Sequence, residues 1–264
     1  MIALCESMET GYDDIGQGIP VLFVHGFPHN RSLWAAQAHG LVDRARCIAP
    51  DLRGFGESSV APPYSMDQYA DDVVGLMDVL RIDRAVIVGI SMGGYVAMAM
   101  WRRHRARMRA IALVDTRGGS DTDEGRRKRN DMIALAQERG SPAIADAMIG
   151  NMVGHGTHSR APEVVEQVHG ILASAPVEGV IGALGALRDR PDSTATLATI
   201  DVPTLIVVGD EDAITPVAES QAMHERISRS SLQIIAGAGH LSNVERPAAF
   251  NHVLSEFLAS LTLA

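Results

Sequence analysis

The chain has 264 residues, which at about 150 residues per domain leaves one large domain with an insertion competing with two ordinary ones. Hydrophobic residues make up 46% and charged residues 21%, the balance of a globular chain rather than a disordered one. With 23 basic and 32 acidic side chains the net charge is −9, which excludes the basic footprint of a nucleic-acid binder. Two cysteines, Cys5 and Cys47, cannot build a disulfide framework or a four-ligand zinc site, and they read as buried thiols. The opening MIALCESMET carries no basic n-region and no long apolar run, so no signal peptide is expected. The longest apolar stretch, Ala85 to Met100, is broken by Gly-Ile-Ser-Met-Gly-Gly and falls short of the roughly 18–20 residues of a bilayer span. A cytoplasmic chain with no membrane partner is the expectation.

In chain order, Val21 to Val24 reads as a buried strand ended by His25-Gly26, and Cys47 to Ala49 as a second one, followed by the turn-rich Pro50-Asp51-Leu52-Arg53-Gly54. From Asp67, Tyr69, Val73, Leu76 and Leu80 recur at helical spacing with acids on the other face, so an amphipathic helix is predicted. Ser65 or Asp67 can cap it. Ala85 to Val88 predicts a strand, Met92 to His104 a helix and Ile111 to Val114 another strand. Strands separated by helices of this length imply parallel pairing, right-handed crossovers and a sheet covered on both faces.

After Asp115 the alternation stops. From about residue 118 to 192 only helical stretches are visible (123–139, 142–152, 162–173 and 177–188), broken by Gly and Pro. Strands resume at Thr204 to Val208 and Leu232 to Ile235, and Pro247 opens a final helix to about Leu261. A strandless block interrupting a βα series predicts a helical insertion standing on the sheet. Its basic run, Arg126-Arg127-Lys128-Arg129, lies among acids and reads as a solvated helix face with i,i+4 pairs. His155 and His158 lack an acid or cysteine at ligand spacing, so the GHGTH segment reads as a polar loop rather than a metal site.

The strongest chemical signal is Gly89-Ile90-Ser91-Met92-Gly93, between a strand and a helix pattern. A serine nucleophile has to project from a sharp, crowded turn, and glycines two residues before and after it remove side chains that would collide. The helix that opens there points free N–H groups at the site. A serine hydroxyl is a weak nucleophile without a base and an orienting acid, expected downstream in the order Ser, acid, His. His240 follows the last strand candidate, at the strand end where chemistry collects in open α/β sheets. For the acid, Asp212 in VVGDEDAITP is the first choice and Asp115 the alternative. Asp210 reads as a turn cap, and Asp51 as a turn-former. The oxyanion would meet the amide of Met92 and that of Phe27 in His25-Gly26-Phe27-Pro28. Pro28 has no N–H to offer, and His25 reads as a structural hydrogen-bonder.

With HGFP, PDLRGFGES, GISMGGY, LVDTRGG, VVGDEDAITP and GAGHLSNVERP in this order, the chain resembles the α/β-hydrolase superfamily nearly end to end. More narrowly it is similar to small bacterial cap-containing carboxylesterases. The resemblance implies a mostly parallel sheet flanked by helices, with a core of residues 1–116 and 193–264. A helical cap, 117–192, would lie between core strands six and seven. It implies a catalytic triad of Ser91, Asp212 and His240 with Phe27 and Met92 as oxyanion donors, acting on a small-molecule ester without cofactor or metal. Epoxide hydrolases and dehalogenases share HGFP but use an aspartate nucleophile, where this chain has Ser91. Enol-lactone hydrolases share the run Gly239-His240-Leu241-Ser242-Asn243, and cofactor-free perhydrolases share an aromatic residue followed by proline, here Phe27-Pro28. A non-catalytic receptor on the same fold is a further alternative. Arg117, Arg188 or Arg190 could meet a substrate carboxylate, although exposure to water is the expectation.

Overall fold

The computed structural model describes residues 1–5 and 8–261. Eight strands form one sheet in the order β1-β2-β4-β3-β5-β6-β7-β8. They are β1 (Ile2–Cys5), β2 (Met8–Ile15), β3 (Ile19–Val24), β4 (Ala45–Pro50), β5 (Ala85–Ile90), β6 (Met108–Val114), β7 (Thr204–Gly209) and β8 (Ser230–Ile235). From β4 through β8 all neighbours are parallel, and β1 and β2 add an antiparallel edge.

Side chains alternate across the sheet. Leu22, Val24, Ile48 and Ile87 point into one apolar layer, Val21, Phe23, Cys47, Val86 and Val88 into the other. The first layer is covered by α2 (Met66–Val79) and α3 (Met92–His104), the second by α1 (Ala35–Gly40) and α11 (Pro247–Ser260). The expected helix from Asp67 is α2, and Ser65 is its cap: its hydroxyl accepts the Gln68 amide at 3.0 Å. The side chains of Cys5 and Cys47 are buried thiols.

The strandless block stands between β6 and β7 as α4 (Asp123–Met152), α5 (His155–Arg160), α6 (Pro162–Ala173), α7 (Val177–Asp189) and α8 (Thr194–Leu197). The two stretches expected at 123–139 and 142–152 join into α4, whose helical geometry breaks at Gly140 (φ 74°, ψ −177°) just before Pro142. GHGTH is a short helix, not the polar loop its composition suggests, because Gly154 starts α5 at His155. The basic run is only in part a solvated face. Lys128 pairs with Glu124 at 2.8 Å in the open, but Arg129 turns inward to Asp121 at 3.0 Å.

Asp121, 5% exposed, also takes Arg117 and Arg190, each at 2.8 Å. Arg190 thus departs from the expectation of exposure. It is buried, lies over the Tyr95 ring of α3 at 4.3 Å and donates to the carbonyls of Leu187 and Gly119. This clasp joins the inserted helical block to the helix that follows Ser91. Among the described residues no single helix is long and apolar enough to cross a membrane, although α6 and α7, bent by 93°, reach that length and composition together.

The β1–β2 hairpin and the helix α9 (Val217–Arg226) are among the elements that the sequence pattern does not mark. The β1–β2 hairpin buries Ala3, Cys5, Met8 and Thr10, but its outward residues include Ile2 and Leu4, so no apolar–polar alternation marks it. The helix α9 buries only Ser220 and Met223, too thin a stripe for periodicity to reveal.

Candidate active site

The chain runs from β3 outward to β4 and then returns past β3 to β5. At such a reversal the loops leaving the two adjacent strands diverge and open a crevice at their carboxyl ends. The loop after β3 carries Gly26 and Phe27, and the turn after β5 carries Ser91. A Cβ on Gly26 would lie 3.2 Å from that of Ser91, so the two loops face each other at contact distance.

Ser91 has φ 52° and ψ −115°, a conformation disfavoured for a side-chain-bearing residue that persists only when its surroundings enforce it. Its amide donates to Val114 O at 2.9 Å, and its carbonyl accepts Gly94 N at 3.0 Å and Thr116 Oγ1 at 2.8 Å. The flanking glycines are sterically required: a Cβ at Gly89 would meet Gly93 O at 2.2 Å, and one at Gly93 would meet Val24 O at 2.1 Å. The turn therefore presses α3 against both β5 and β3 and lifts the hydroxyl clear of them.

The three residues proposed from sequence come together. His240 Nε2 lies 2.9 Å from Ser91 Oγ, and His240 Nδ1 lies 2.9 and 3.1 Å from the two Asp212 oxygens. His240 and Asp212 are buried while Ser91 is partly accessible. Asp212 is held rigidly, its Oδ1 accepting the amides of Ile214 (2.8 Å) and Thr215 (2.9 Å) and its Oδ2 the Thr215 hydroxyl at 2.7 Å. Thr215, which the sequence reading passed over, also lies 3.4 Å from His240 Nδ1. A hydroxyl three residues beyond an acid, able to bond back to it, was the available signal.

Burial works against both charges of the His240–Asp212 pair, yet each stabilises the other's ionised form. Burial alone would lower the His240 pKa, but the Asp212 charge and hydrogen bond outweigh it, with Asp115 and Glu245 adding to the rise above 6.5. In Asp212 the upward push of burial is outweighed by His240 and by the Thr215 donors, so the carboxyl stays below its usual value.

Asp115, the alternative acid, sits at the end of β6 with φ 43° and does not hydrogen-bond His240. Its oxygens accept Gly209 N at 2.9 Å, Ser242 N at 3.1 Å and Ser242 Oγ at 2.6 Å. Complete burial, and then the neighbouring Asp212 charge, push its pKa up to about 8. Asp210 accepts the Gly237 amide at 2.7 Å and closes the turn after β8. Asp51 is more than a turn-former: buried, it accepts the amides of Arg31 (2.8 Å) and Glu57 (2.9 Å) and pairs with the Arg31 guanidinium. Its backbone neighbour Leu52 donates to His25 Nε2 at 2.9 Å, while His25 Nδ1 meets Gly26 O at 2.8 Å. Burial lowers the His25 pKa, and its ring serves to fix the loop that carries Phe27.

The Met92 amide, at the first position of α3, and the Phe27 amide donate to no acceptor among the described residues. The Phe27 ring packs edge-on against Phe55 at 6.4 Å, which anchors this loop from the other side. Of the three arginines considered for a carboxylate, Arg190 and Arg117 are taken by Asp121, and Arg188 pairs with Asp189 at 2.7 Å and Asn130 at 2.8 Å.

A sheet of this order, an insertion after β6 and a serine on a strained turn after β5 define a class, and the comparisons agree. Residues 19–247 match the family model described as the alpha/beta hydrolase fold. The chain belongs to the α/β-hydrolase family, and it is a hydrolase of that family. It is similar to a 3-oxoadipate enol-lactonase 2 of Acinetobacter baylyi, with 32% identity over 89% of this chain and 86% of that protein. Among solved structures it is similar to a thermophilic esterase from Thermogutta terrifontis, malate bound, with 41% identity, a TM-score of 0.94 and coverage of 96% of this chain and 94% of that one. The enol-lactonase from Burkholderia xenovorans LB400 is similar at 28% identity and a TM-score of 0.92, covering 98% of this chain and 100% of the other.

Proposed function

We propose that the chain is a serine carboxylesterase that hydrolyses short- to medium-chain esters through an acyl-enzyme. The observation that carries the reading is the unbroken hydrogen-bonded line from Asp212 through His240 to Ser91 Oγ. It ends at a crevice where two amides lack an acceptor among the described residues. His240 takes the Ser91 proton as the oxygen attacks the ester carbonyl, and Asp212 holds the imidazole in the tautomer that leaves Nε2 free to accept. The tetrahedral oxyanion is received by the Phe27 and Met92 amides, each donor of this kind being worth about 3–4 kcal/mol. Collapse expels the alcohol with the proton from His240. Water then repeats the sequence, releasing the acid and restoring Ser91. Residues 117–192 form the roof of the acyl and alcohol pockets in this reading.

A second reading, enol-lactone hydrolysis, is favoured by the two similar enol-lactonases. A substrate bearing a carboxylate would want an uncommitted arginine, and Arg117, Arg188 and Arg190 are each engaged by an aspartate. Asp121 is shared by Arg117, Arg129 and Arg190, so one carboxylate offsets three guanidiniums there, and the enol-lactone assay decides between the two readings. The test is turnover of p-nitrophenyl esters from acetate to laurate beside an enol-lactone and a peroxide assay, with labelling by a serine-directed organophosphate. Ester turnover and a label on Ser91 that disappears in Ser91→Ala are expected, with turnover falling on the order of 10⁶-fold in that variant. Absence of both turnover and label in the wild-type protein would overturn the proposal in favour of a receptor.

A further inference from the structure

One carboxylate joins the cap to the loop that carries His240. Glu245 ends the four-residue helix α10 (Ser242–Glu245). Its Oε1 accepts the amide of Gly239, the residue before His240, at 2.7 Å. Its Oε2 accepts the Gly154 amide at 2.8 Å and the Thr157 hydroxyl, both from the α4–α5 junction of the cap. Cap and loop backbones are in direct contact here: a Cβ at Gly239 would fall 2.3 Å from Gly154 N and 2.6 Å from the Val153 carbonyl carbon. On the far side of His240, Ser242 is held through its amide and hydroxyl by Asp115. The segment 239–242 is thus pinned at both ends, at one end by the sheet and at the other by a side chain whose second oxygen belongs to the cap.

We propose that Glu245 is a positioning residue, a latch through which the placement of the cap sets the placement of His240. This rests on the proposed role of His240 as the base. A cap that lifts at residues 153–157 takes two donors from Glu245. The carboxylate is then free to swing, and the Gly239 amide loses its acceptor. His240 has to reach Ser91 Oγ at 2.9 Å and Asp212 at 2.9 Å at the same time, so a shift of its backbone is felt at both contacts. The latch makes the site complete only when the roof is seated.

The surroundings are charged, and all of them bear on the test. Glu211, beside Asp212, reaches the same junction, where its Oε2 lies 2.6 Å from a Cβ placed on Gly154. Arg160 of the cap and Arg246 both donate to Gly237 O, at 3.1 and 3.2 Å. Asp212, Asp115 and Glu245 favour the protonated form of His240, and His29 opposes its charge.

The experiment compares wild type, Glu245→Gln, Thr157→Val and the double variant for kcat, KM and the pH profile with p-nitrophenyl butyrate. Amide hydrogen exchange of residues 153–157 and 237–241 is followed in parallel. Glu245→Gln keeps the size of the side chain, sets an NH₂ against an N–H and removes a charge. A kcat loss of about 10–100-fold with KM within about 3-fold is expected, as for a base displaced by a fraction of an ångström. Its acid limb moves to lower pH because a charge favouring protonated His240 is gone. Thr157→Val, which removes only the hydroxyl bond from the cap, costs about 3–10-fold in kcat and leaves the limb in place. The double variant is no worse than Glu245→Gln, and exchange quickens in both segments of Thr157→Val. Additive losses, or an Thr157→Val protein whose segment 237–241 exchanges as in wild type, would overturn the latch. So would a Glu245→Gln protein with unchanged kcat and limb. If Glu245→Gln does not fold, the Thr157→Val results decide alone. A wild-type protein without turnover overturns the esterase reading instead, and the exchange data then judge the mechanical coupling separately.

Discussion

Replacing Asp212 by asparagine tests the chemistry at one atom. The two amides of Ile214 and Thr215 both point at Oδ1, and an NH₂ cannot accept them. The asparagine oxygen therefore keeps that place, and its nitrogen takes the Oδ2 position, 2.9 Å from His240 Nδ1. From there it donates to Nδ1, which forces the imidazole proton onto Nε2, 2.9 Å from Ser91 Oγ. His240 then presents a donor where it has to accept. The backbone anchors survive, so the fold is retained, but the base is held in the wrong tautomer and the charge that would stabilise the imidazolium is lost. Both losses fall on the transition state, and kcat is expected to drop by up to about 10⁴-fold, or about 5.5 kcal/mol. Steady-state hydrolysis of p-nitrophenyl butyrate measures it, with thermal melting as the control for folding. Asp115→Asn, which touches Ser242 and Gly209 rather than the imidazole, is expected to stay within about 10-fold of wild type. An active Asp212→Asn beside an inactive Asp115→Asn would refute the assignment of the acid.

Four further outcomes follow from the same geometry. Thr215→Val removes a hydroxyl from Asp212 Oδ2 but leaves its charge and both backbone donors, so kcat should fall only about 3–10-fold and stability by about 1 kcal/mol, measured by kinetics and urea unfolding. With His240 as the proposed base, hydrolysis requires its neutral form, and its pKa is raised above 6.5, so the acid limb of kcat/KM should lie above that value, and a midpoint below 6 would contradict the pairing. Stability should run the other way. The raised groups His240 and Asp115 contribute fully below their unfolded values and lose that contribution as pH rises through their folded ones, near 8 for Asp115. Asp212, held low, contributes above its unfolded value and loses its share as pH falls through the folded one. The Tm should therefore decline as pH rises from the ordinary carboxylate range to about 8, and Asp115→Asn should flatten that decline. Gly93→Ala places a methyl 2.1 Å from Val24 O, so α3 has to move off β3. A loss of about 1–3 kcal/mol or more is expected by denaturant unfolding, with activity lost in parallel.

Sequence alone determined the parallel βα series and the position of the insertion, and it singled out Ser91 and His240 as candidates, with Asp212 as first choice for the acid and Asp115 as the alternative. Those features depend on local physics. Buried parallel strands are continuous apolar runs such as AVIVGI at Ala85–Ile90, and a strained serine turn needs glycine at 89 and 93 whatever surrounds it. Tertiary structure decided whatever depends on which oxygen meets which donor across long separations. Asp212 and Asp115 both follow strand ends, and only folding shows that the first turns its carboxylate to Nδ1 while the second is claimed by Ser242. Arg190 reads as a surface cation until folding brings Asp121 and the Tyr95 ring to it. Glu245 carries no signal along the chain, and its bonds to Gly154, Thr157 and Gly239 exist only once the chain has folded. The reason is physical: hydrophobic periodicity is written in neighbouring residues, whereas the pairing of buried charges is settled by the three-dimensional path of the backbone.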